Sequence, residues 1–431
     1  MRDELLGLPA KDEDFVVPGV GLDELRDLLA PHGKVEELEV AGRVVGVRLH
    51  PRDAAVRAAA PSGIELAPPR REQSTGPGRH DFEIVADASL SIEDDMRRRD
   101  FTVNAIARRL TTGEIVDPFD GERDLRDGVL RTVTPRSFQE DPLRLVRGLR
   151  FVAQLGLEPD DGTLRQMRQE ASSIRRVSGE RIGGGLGADG MGELSKLLLG
   201  AQPERALRLA RDTGVLVELF PEFAPAVGYD LGTARQPLPL EEHVFAVVQN
   251  AADAGASLAV RLAALLHDLG KPEADRNGAD HAELGAAIAR DVLGRLRYPT
   301  RLRSHVTRLV RAHAFGLEEV DELFARRFLR AHGEELARDL VAHKRADLGS
   351  KNVGAEELAG VERLGALVES ERASPYRLGD LAVDGGDLIT AGFAPGPELG
   401  RVLSLLLDAV VEDPERNTIA LLLERAAREL A

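Results

Sequence analysis

Two aspartates that are separated by one residue, Asp12 and Asp14, stand directly before a short apolar run at 15–17. In a β-strand, alternate side chains point to the same face, so these carboxylates would lie side by side. Such a pair can hold Mg²⁺ ions for phosphoryl or nucleotidyl transfer, where one ion activates the attacking oxygen and another steadies the leaving group. The alternative is a solvated acidic turn, because short motifs often match by chance. Glu65, between two apolar residues of a predicted strand, is a candidate third carboxylate or an exposed strand residue.

Histidines are concentrated in the second half of the chain, where seven of the ten lie at 243–343. Among them, His267 and Asp268 are adjacent and follow an apolar run. Imidazole and carboxylate ligands together suit Mn²⁺, Fe, Ni²⁺ or Zn²⁺ better than Mg²⁺. A metal held there would generate hydroxide for the hydrolysis of a phosphoester. The alternative is a set of structural histidines with satisfied hydrogen bonds.

The elements that must position these residues change in character along the chain. Up to about residue 135 the pattern predicts a mixed α/β region, with a helix at 22–29 and a β-hairpin within 35–49. From residue 137 onward the apolar spacing is helical. The glycine-rich run 183–192 interrupts this pattern and predicts a flexible loop that looks like an insertion.

Composition limits the function classes that the chain can serve. A formal net charge of −16 argues against unspecific coating of nucleic acid, which needs clustered positive charge. The basic residues are mostly arginine, however, and local arginine clusters bind phosphates bidentately. The 431 residues include no tryptophan and no cysteine, which argues against base stacking and excludes disulfides and zinc–thiolate sites. With no signal peptide and no apolar run of about 18 residues, the sequence predicts a cytoplasmic protein without a membrane span.

Five motifs occur in order: RDELLGLPAKDED, RRDFTVNAIA, DPFDG, EDPLRLVRGLRF, and SGERI followed by ELSKLL. This series resembles the bacterial class II tRNA nucleotidyltransferases, which include the CCA-adding enzymes and their poly(A) polymerase relatives. The resemblance implies an α+β fold with an N-terminally truncated, mixed α/β nucleotidyltransferase head, an all-helical neck and body, and a helical HD domain. The expected domains are a head at 1–135, a neck at 136–235, an HD domain at 236–350 and a helical tail at 351–431.

The resemblance also implies roles for individual residues. Asp12 and Asp14 match the metal-binding carboxylates. The residues that would bind or brace the incoming nucleotide are Arg2, Asp3, Arg98, Arg99, Asp100, Asn104, Glu140, Asp141, Arg144, Arg147, Arg150, Glu180 and Arg181. Asp141 and Arg144 would pair with the edge of the incoming base. An aspartate accepts from an exocyclic amino group and an arginine donates to a ring nitrogen or carbonyl, so one such pair can serve both C and A.

Two plainer interpretations of these residues stay open. Asp141 could be an ordinary helix cap, and Glu140 with Arg144 could be an i, i+4 salt bridge.

The start of the chain departs from the family pattern. In the family, a strand and a triphosphate-binding glycine loop precede the D-x-D motif, whereas this sequence begins at Met1 within that motif. Loss of that loop would leave a weak or inactive head; otherwise the start site lies further upstream.

The histidine-rich segment resembles the HD-domain metal phosphohydrolases. In that resemblance, Lys271 would contact phosphate or simply favour a helix C-terminus. The residues that match the four-ligand set are His243, His267, Asp268 and Asp347. The candidate ligands of a second metal are His281 and His313.

The function predicted from the sequence is template-independent addition of C and A, from CTP and ATP, to the 3′ end of tRNA. Mg²⁺ would serve the head, and Mn²⁺, Ni²⁺, Fe or Zn²⁺ would serve an HD phosphohydrolase. The alternatives are an HD phosphohydrolase with a silent head, a poly(A) polymerase, and a non-enzymatic RNA-binding module. The expected partners are tRNA, CTP and ATP, and neither DNA nor a membrane.

Overall fold

The structure is a computed structural model, and it describes residues 1–8, 14–40, 42–74, 82–184 and 190–430. The chain folds into two compact units, Met1–Ala224 with Val292–Pro299, and Pro225–Asp291 with Thr300–Ala431. The predicted α+β class is confirmed, because the strands lie in the first unit and helices dominate the rest. The four-domain division stays a prediction. Within the described ranges, no helix combines the length and the apolar character needed to cross a membrane.

The strands form one four-stranded sheet and three two-stranded ribbons within the described residues. In chain order the strands are β1 (Asp14–Val16), β2 (Gly33–Val40), β3 (Arg43–Pro51), β4 (Ile64–Ala67), β5 (Arg70–Ser74), β6 (Phe82–Ala86), β7 (Ala107–Arg108), β8 (Ile115–Val116), β9 (Val129–Leu130) and β10 (Glu158–Pro159). The main sheet has the order β1-β4-β3-β2, in which β1 and β4 are parallel and the other neighbours are antiparallel. The predicted hairpin is the β2–β3 pair.

Short helices surround the sheet and continue as a helical region in the same unit. They are α1 (Arg2–Leu5), α2 (Leu22–Leu29), α3 (Ala54–Ala59), α4 (Ile92–Arg97), α5 (Gly121–Arg126), α6 (Ser137–Glu140), α7 (Leu143–Leu155), α8 (Asp161–Glu170), α9 (Glu193–Leu198), α10 (Pro203–Asp212) and α11 (Val215–Leu219). The helix predicted at 22–29 is α2. Between α8 and α9 the chain forms a single π-helical turn over Glu180–Gly184.

The helices of the second unit follow without intervening strands among the described residues. They are α12 (Leu240–Asp253), α13 (Leu258–Leu266), α14 (Lys271–Asn277), α15 (His281–Arg295, whose last residues belong to the first unit), α16 (Thr300–Ala312), α17 (Glu322–His332), α18 (Glu334–Leu348), α19 (Ala355–Ser370), α20 (Gly385–Thr390), α21 (Pro397–Glu412) and α22 (Ile419–Leu430). Short 3₁₀ helices lie at Ala30–His32, Thr102–Asn104, Ala171–Arg176, Pro221–Phe223, Glu371–Ala373, Leu378–Asp380 and Pro414–Arg416.

Helix α7 carries the core of the first unit. Its residues Leu145, Val146, Leu149 and Val152 recur at i, i+1, i+4 and i+7 and are buried. The ring of Phe101 meets that of Phe151, at the end of the same face, edge-on at 5.7 Å. This packing fixes the backbone on either side of Phe101.

In the second unit, α13 is the central helix. Eight of its nine residues, from Ala259 to Leu266, are buried, because α12, α16 and α18 pack around it. The Ser257 hydroxyl caps its N-terminus by accepting from the Val260 N–H at 3.3 Å. The helix ends directly before His267, so the core of the unit presents the His-Asp pair.

The expectation of a loop over 183–192 was wrong for its first residues. Gly183 and Gly184 belong to the π-helical turn, and the Gly184 N–H donates to the Leu296 carbonyl at 3.0 Å. The middle of the run, 185–189, lies outside the described residues.

Candidate active sites

The sheet places Asp14 beside Glu65. The parallel pairing of β1 with β4 brings these two residues into register, which puts their side chains on the same face. Glu65 also accepts a hydrogen bond from Arg48 Nε at 3.2 Å, since Arg48 is its partner on β3. Burial and the neighbouring Arg98 lower the pKa of the Arg99 guanidinium, and nearby carboxylates, of which Asp14 makes the smallest contribution, oppose that shift. Asp12 lies outside the described residues.

Asp100 joins several of the predicted nucleotide-binding residues. Its side chain is almost fully buried and accepts from Asn104 Nδ2 at 2.8 Å and from Arg147 Nε at 2.8 Å. Asn104 Oδ1 in turn accepts from Arg2 at 2.6 Å, and Arg2 pairs with Asp3 at 2.7 Å. Burial opposes the charge of Asp100, yet Arg147 and Asn104 lower the pKa of its carboxyl group to about 2. Asp100 is therefore a permanent anion that orients its neighbours.

The arginine stripe of α7 meets a carboxylate that the sequence analysis did not single out. Glu193, at the start of α9 and buried, lies 3.3 Å from Arg147 and 3.0 Å from Arg150. Because Arg150 is buried, its pKa is lowered, and Glu193 opposes that shift. Glu193 stands in the ELSKLL motif, and three arginines with no nearby carboxylate on their own helix were the available signal that such a partner must exist.

The two residues expected to select the base are both held by other side chains. Arg181, in the π-helical turn, donates to Asp141 Oδ2 at 2.8 Å, and both side chains are more than four-fifths buried. Glu180 opens the same turn and is half-buried. Asp141 Oδ1 accepts from the Leu143 N–H at 3.1 Å, so Asp141 also caps α7.

Arg144 is fixed by four acceptors on one side of α7. It donates to Glu140 at 3.1 Å, to the Ser137 carbonyl and hydroxyl at 3.2 and 3.0 Å, and to the Arg98 carbonyl. The i, i+4 salt bridge is therefore present. The Arg98 guanidinium donates to the buried Asp95 at 3.0 and 3.3 Å. The bond from Arg144 to the Arg98 carbonyl thus ties the RRRD segment to α7.

A second charged centre lies in the helical unit. His243 Nε2 is 3.4 Å from Asp268 Oδ2 and 3.2 Å from Asp347 Oδ1, and His267 Nε2 is 3.2 and 3.7 Å from the same two oxygens. All four side chains are at least nine-tenths buried. They come from α12, the end of α13 and α18, which pack against one another.

These four atoms fit a metal ion. His243 Nε2 and His267 Nε2 are buried without a hydrogen-bond partner, although such atoms are rarely left so. Asp268 Oδ2 and Asp347 Oδ1 face these nitrogens, and each of the two oxygens is also ion-paired with a lysine. Their ligand atoms also lie close enough together to share one ion, as the distances among His243, His267 and Asp268 show. Two nitrogens and two oxygens form a donor set suited to a divalent transition metal.

The histidine rings are oriented by hydrogen bonds at their other nitrogen. His243 Nδ1 lies 2.9 Å from Ser350 Oγ, and His267 Nδ1 lies 2.9 Å from the Ala264 carbonyl. A carbonyl can only accept, so His267 carries its proton on Nδ1 and leaves the Nε2 lone pair for a ligand. Burial disfavours a charged ring, yet Asp268 and Asp347 raise the pKa of His267 to about 9. A metal must therefore displace a proton from this ring.

Asp268 also faces two further histidines through its other oxygen. His313 Nε2 lies 3.5 Å and His281 Nε2 lies 3.9 Å from Asp268 Oδ1, and these three ligand atoms are mutually close enough to hold an ion. His313 Nδ1 lies 2.6 Å from the Val310 carbonyl, which fixes the ring as in His267. Asp268 could therefore bridge two metals.

His343 is a further buried histidine of this centre, and it was not among the predicted ligands. This residue is fully buried on α18, its ring centroid lies 4.9 Å from that of His267, and neither of its ring nitrogens has a hydrogen-bond partner. Burial holds the pKa of His343 well below its usual range, so the ring is neutral. His343 stands one helical turn before Asp347, and this spacing could have predicted that both side chains lie on the same face of α18.

Comparison with protein families agrees with this geometry. Residues 1–131 match the Poly A polymerase head domain, residues 156–227 match a family described as the probable RNA and SrmB-binding site of polymerase A, and residues 240–349 match the HD domain. The fold and the two charged centres thus define a nucleotidyltransferase of the polymerase A head class that carries an HD domain.

Similar proteins and a similar solved structure show which family within this class the chain belongs to. The Multifunctional CCA protein of Xanthomonas campestris pv. campestris (strain B100) is 32% identical over 429 residues, with 94% of each chain covered. That of Neisseria gonorrhoeae (strain NCCP11945) is 36% identical over 306 residues, covering 69% of this chain and 68% of the relative. The crystal structure of the Bacillus stearothermophilus CCA-adding enzyme in complex with CTP superposes with a TM-score of 0.66 at 25% identity, covering 99% of this chain and 92% of that one. The chain belongs to the HD-containing class II CCA-adding enzymes, and the predicted family is confirmed.

Proposed function

We propose that this chain adds C and A nucleotides, from CTP and ATP, to the 3′ end of tRNA. The observation that carries the proposal is the buried network in which Asp141 and Arg144 are held rigidly beside Asp100 and Arg147. A rigid aspartate–arginine pair can present the same acceptor and donor to every incoming base, which a template-independent enzyme requires. The relatives named Multifunctional CCA protein and the CTP complex of a similar enzyme support this substrate choice.

Each group has a distinct role in this proposal. Asp12 and Asp14, assisted by Glu65, would hold Mg²⁺, which supplies activation of the attacking hydroxyl and charge stabilisation at the triphosphate. Asp141 would accept from the amino group that C and A share, and Arg144 would donate to the neighbouring ring atom. The guanidinium groups that would meet phosphates are Arg98, Arg99, Arg147 and Arg150. Arg181 and Glu180 would brace Asp141, and Glu140 would brace Arg144. Arg2, Asp3 and Asn104 would hold Asp100 in place.

Incorporation of labelled CMP and AMP into tRNA that lacks its 3′ end tests the transferase. Asp14→Ala is expected to lower incorporation by at least about 100-fold, since the metal carries most of the charge stabilisation. Asp27→Asn, an exposed acidic residue on α2, is the control and should match the parent. Sequencing of the product separates CCA addition from a poly(A) tail. A parent without incorporation would favour the alternative of a silent head.

We further propose that the second unit is a metal-dependent phosphohydrolase. Two buried imidazole nitrogens without hydrogen-bond partners, which face two buried carboxylates, support this assignment. Mn²⁺, Ni²⁺, Fe or Zn²⁺ would be held by His243, His267, Asp268 and Asp347, and a second ion by Asp268, His281 and His313. When bound, the metal supplies a hydroxide for attack on phosphorus.

Release of phosphate products from 2′,3′-cyclic nucleotides, with and without Mn²⁺ or Ni²⁺, tests the hydrolase. His267→Ala should abolish both hydrolysis and metal uptake, measured by elemental analysis, and should leave CMP incorporation intact. Asp347→Asn offers a second, nearly isosteric variant in case His267→Ala folds poorly. His332→Ala lies outside the site and serves as the control. Hydrolysis that survives in both ligand variants would contradict the assignment.

We also propose that these reactions take place in the cytoplasm. A chain of 431 residues without cysteine suits a reducing cytoplasm, where tRNA, CTP and ATP are available, and neither DNA nor a membrane is an expected partner.

A further inference from the structure

Lysines are rare in this chain, and two of them contact the candidate metal ligands. Six of the 57 basic residues are lysine. Lys351 Nζ lies 2.7 Å from both carboxylate oxygens of Asp347, and Lys271 Nζ lies 2.6 Å from Asp268 Oδ2. Lysine differs from arginine in presenting a compact point charge on a flexible stem, which can move between two anionic partners.

The charges of the centre favour a second anion once metal is bound. The charges of the two lysines match those of the two aspartates. One divalent ion would leave these five groups with a net charge of +2, and a low-dielectric site raises the cost of leaving such charge unbalanced. A phosphoryl dianion has the matching charge. The Lys351 side chain keeps 13% of its surface exposed, so it lies at the edge of the buried centre.

Gln236 adds a hydrogen-bond donor beside Lys271. Its side chain is buried, and its Oε1 accepts from Lys271 Nζ at 2.9 Å. A lysine can only donate, so this bond fixes the amide orientation and leaves Nε2 as the free donor. Gln236 Nε2 is buried with no hydrogen-bond partner, which is uncommon for an amide and points to a missing acceptor.

The two donors are held together by the backbone. The Asn352 N–H donates to the Arg235 carbonyl at 2.8 Å, and Asn352 Nδ2 donates to the Ala234 carbonyl at 3.0 Å. Residues next in sequence to Lys351 and Gln236 are therefore fixed against each other. Ser350, one residue before Lys351, contacts His243 Nδ1 at 2.9 Å, which ties the same turn to a metal ligand.

We propose that Lys351 and Gln236 bind the phosphoryl oxygens of the HD-domain substrate, and that they favour a terminal phosphomonoester. The proposal rests on the phosphohydrolase function proposed above. Lys351 is the counter-ion of Asp347, and when a metal ion takes over that carboxylate the ammonium group would turn to the substrate phosphate. Gln236 Nε2 then donates to a second phosphoryl oxygen.

Binding of inorganic phosphate to the Ni²⁺-loaded full chain, followed by isothermal titration calorimetry, tests the assignment without relying on turnover. Lys351→Met and Gln236→Leu should each weaken phosphate binding by about tenfold or more, with the nickel content unchanged. Lys344→Met is the matched control, because Lys344 also lies close to Asp347 in the sequence, on α18, but its Nζ stands over the Phe315 ring at 4.8 Å. Lys344→Met should bind phosphate as the parent does.

Kinetics with a nucleoside phosphomonoester provide a second readout. Lys351→Met should raise KM and change kcat little, and Lys351→Arg should recover part of the loss, since it restores the charge. Unchanged phosphate affinity in Lys351→Met, loss of nickel from that variant, or no phosphate binding by the loaded parent would each overturn the assignment. If the loaded parent binds phosphate through Lys351 but hydrolyses no phosphoester, the phosphohydrolase proposal fails and the assignment stands.

Discussion

Both centres of this protein depend on single carboxylates that serve several partners at once. Asp100 accepts from Asn104 and Arg147, and Asp268 faces two pairs of histidines through its two oxygens. Neither residue is replaceable by a neighbour, because each partner approaches from a different element. A buried anion of this kind is retained only where several donors compensate for its lost hydration.

The pH dependence of stability should report on Asp100. Its folded pKa of about 2 lies below the unfolded value of about 3.9, so its stabilising effect is present above pH 4 and is lost as the pH falls towards 2. A shift of nearly two units corresponds to ~2 kcal/mol. Between pH 5 and pH 2, urea unfolding of the parent should therefore lose ~2 kcal/mol more than that of Asp100→Asn, which cannot titrate.

The comparison between the two proteins removes the contributions of the other carboxylates. Asp100→Asn should be the less stable protein at pH 7, because Arg147 then loses the carboxylate that lies 2.8 Å from its guanidinium. Parallel pH dependences in the two proteins would contradict the assigned role.

At the scale of elements, the sequence predicted what local spacing controls and missed what distant packing controls. The apolar face of α7, its cap at Asp141 and its arginine stripe followed from spacing within one helix. The partners of that stripe did not, since Asp100 and Glu193 stand more than 40 residues away from Arg147 in the sequence. The glycine-rich run shows the same limit. A high glycine content predicts conformational freedom of the backbone, but it does not reveal where two backbone segments come close together.

Glycine in the π-helical turn is required by close backbone contact. A Cβ added to Gly184 would overlap the Arg297 carbonyl oxygen, and the Gly184 N–H is bonded to Leu296. Gly184→Ala should therefore destabilise the first unit by ~1–3 kcal/mol, because backbone must move to relieve the overlap. CMP and AMP incorporation should fall as well, since Arg181 in the same turn holds Asp141.

Chemical denaturation and the incorporation assay together check this effect. Gly162→Ala is the matched control: it lies in α8, its added Cβ would come no closer than 3.5 Å to another atom, and alanine favours a helix. An equal loss of stability in both variants would indicate a general sensitivity to glycine replacement and would contradict the packing argument.

At the scale of the whole molecule, the two charged centres belong to different compact units. In the centre of the first unit, arginine balances aspartate and glutamate, whereas in the centre of the second unit histidine and lysine face the aspartates. This difference follows from ligand chemistry, because permanently charged guanidinium groups repel metals and attract phosphates, whereas neutral imidazole binds transition metals. The two centres should therefore respond to different ions.

Transition metal should stabilise the second unit alone. A ligand that binds only the folded state adds ~2.7 kcal/mol at 100 times its Kd, so Ni²⁺ or Mn²⁺ should raise the unfolding midpoint of that unit and a chelator should reverse the rise. Hydrogen exchange followed by mass spectrometry can assign the effect, with slower exchange expected in peptides that contain His243, His267 and Asp347 and little change in peptides from β1–β4. Asp14→Ala should keep the whole response, while His267→Ala should lose it, because one of four converging ligand atoms is gone. A response of equal size in His267→Ala would mean that the metal binds elsewhere, and the histidines would then have to be explained as buried core residues that serve no ligand.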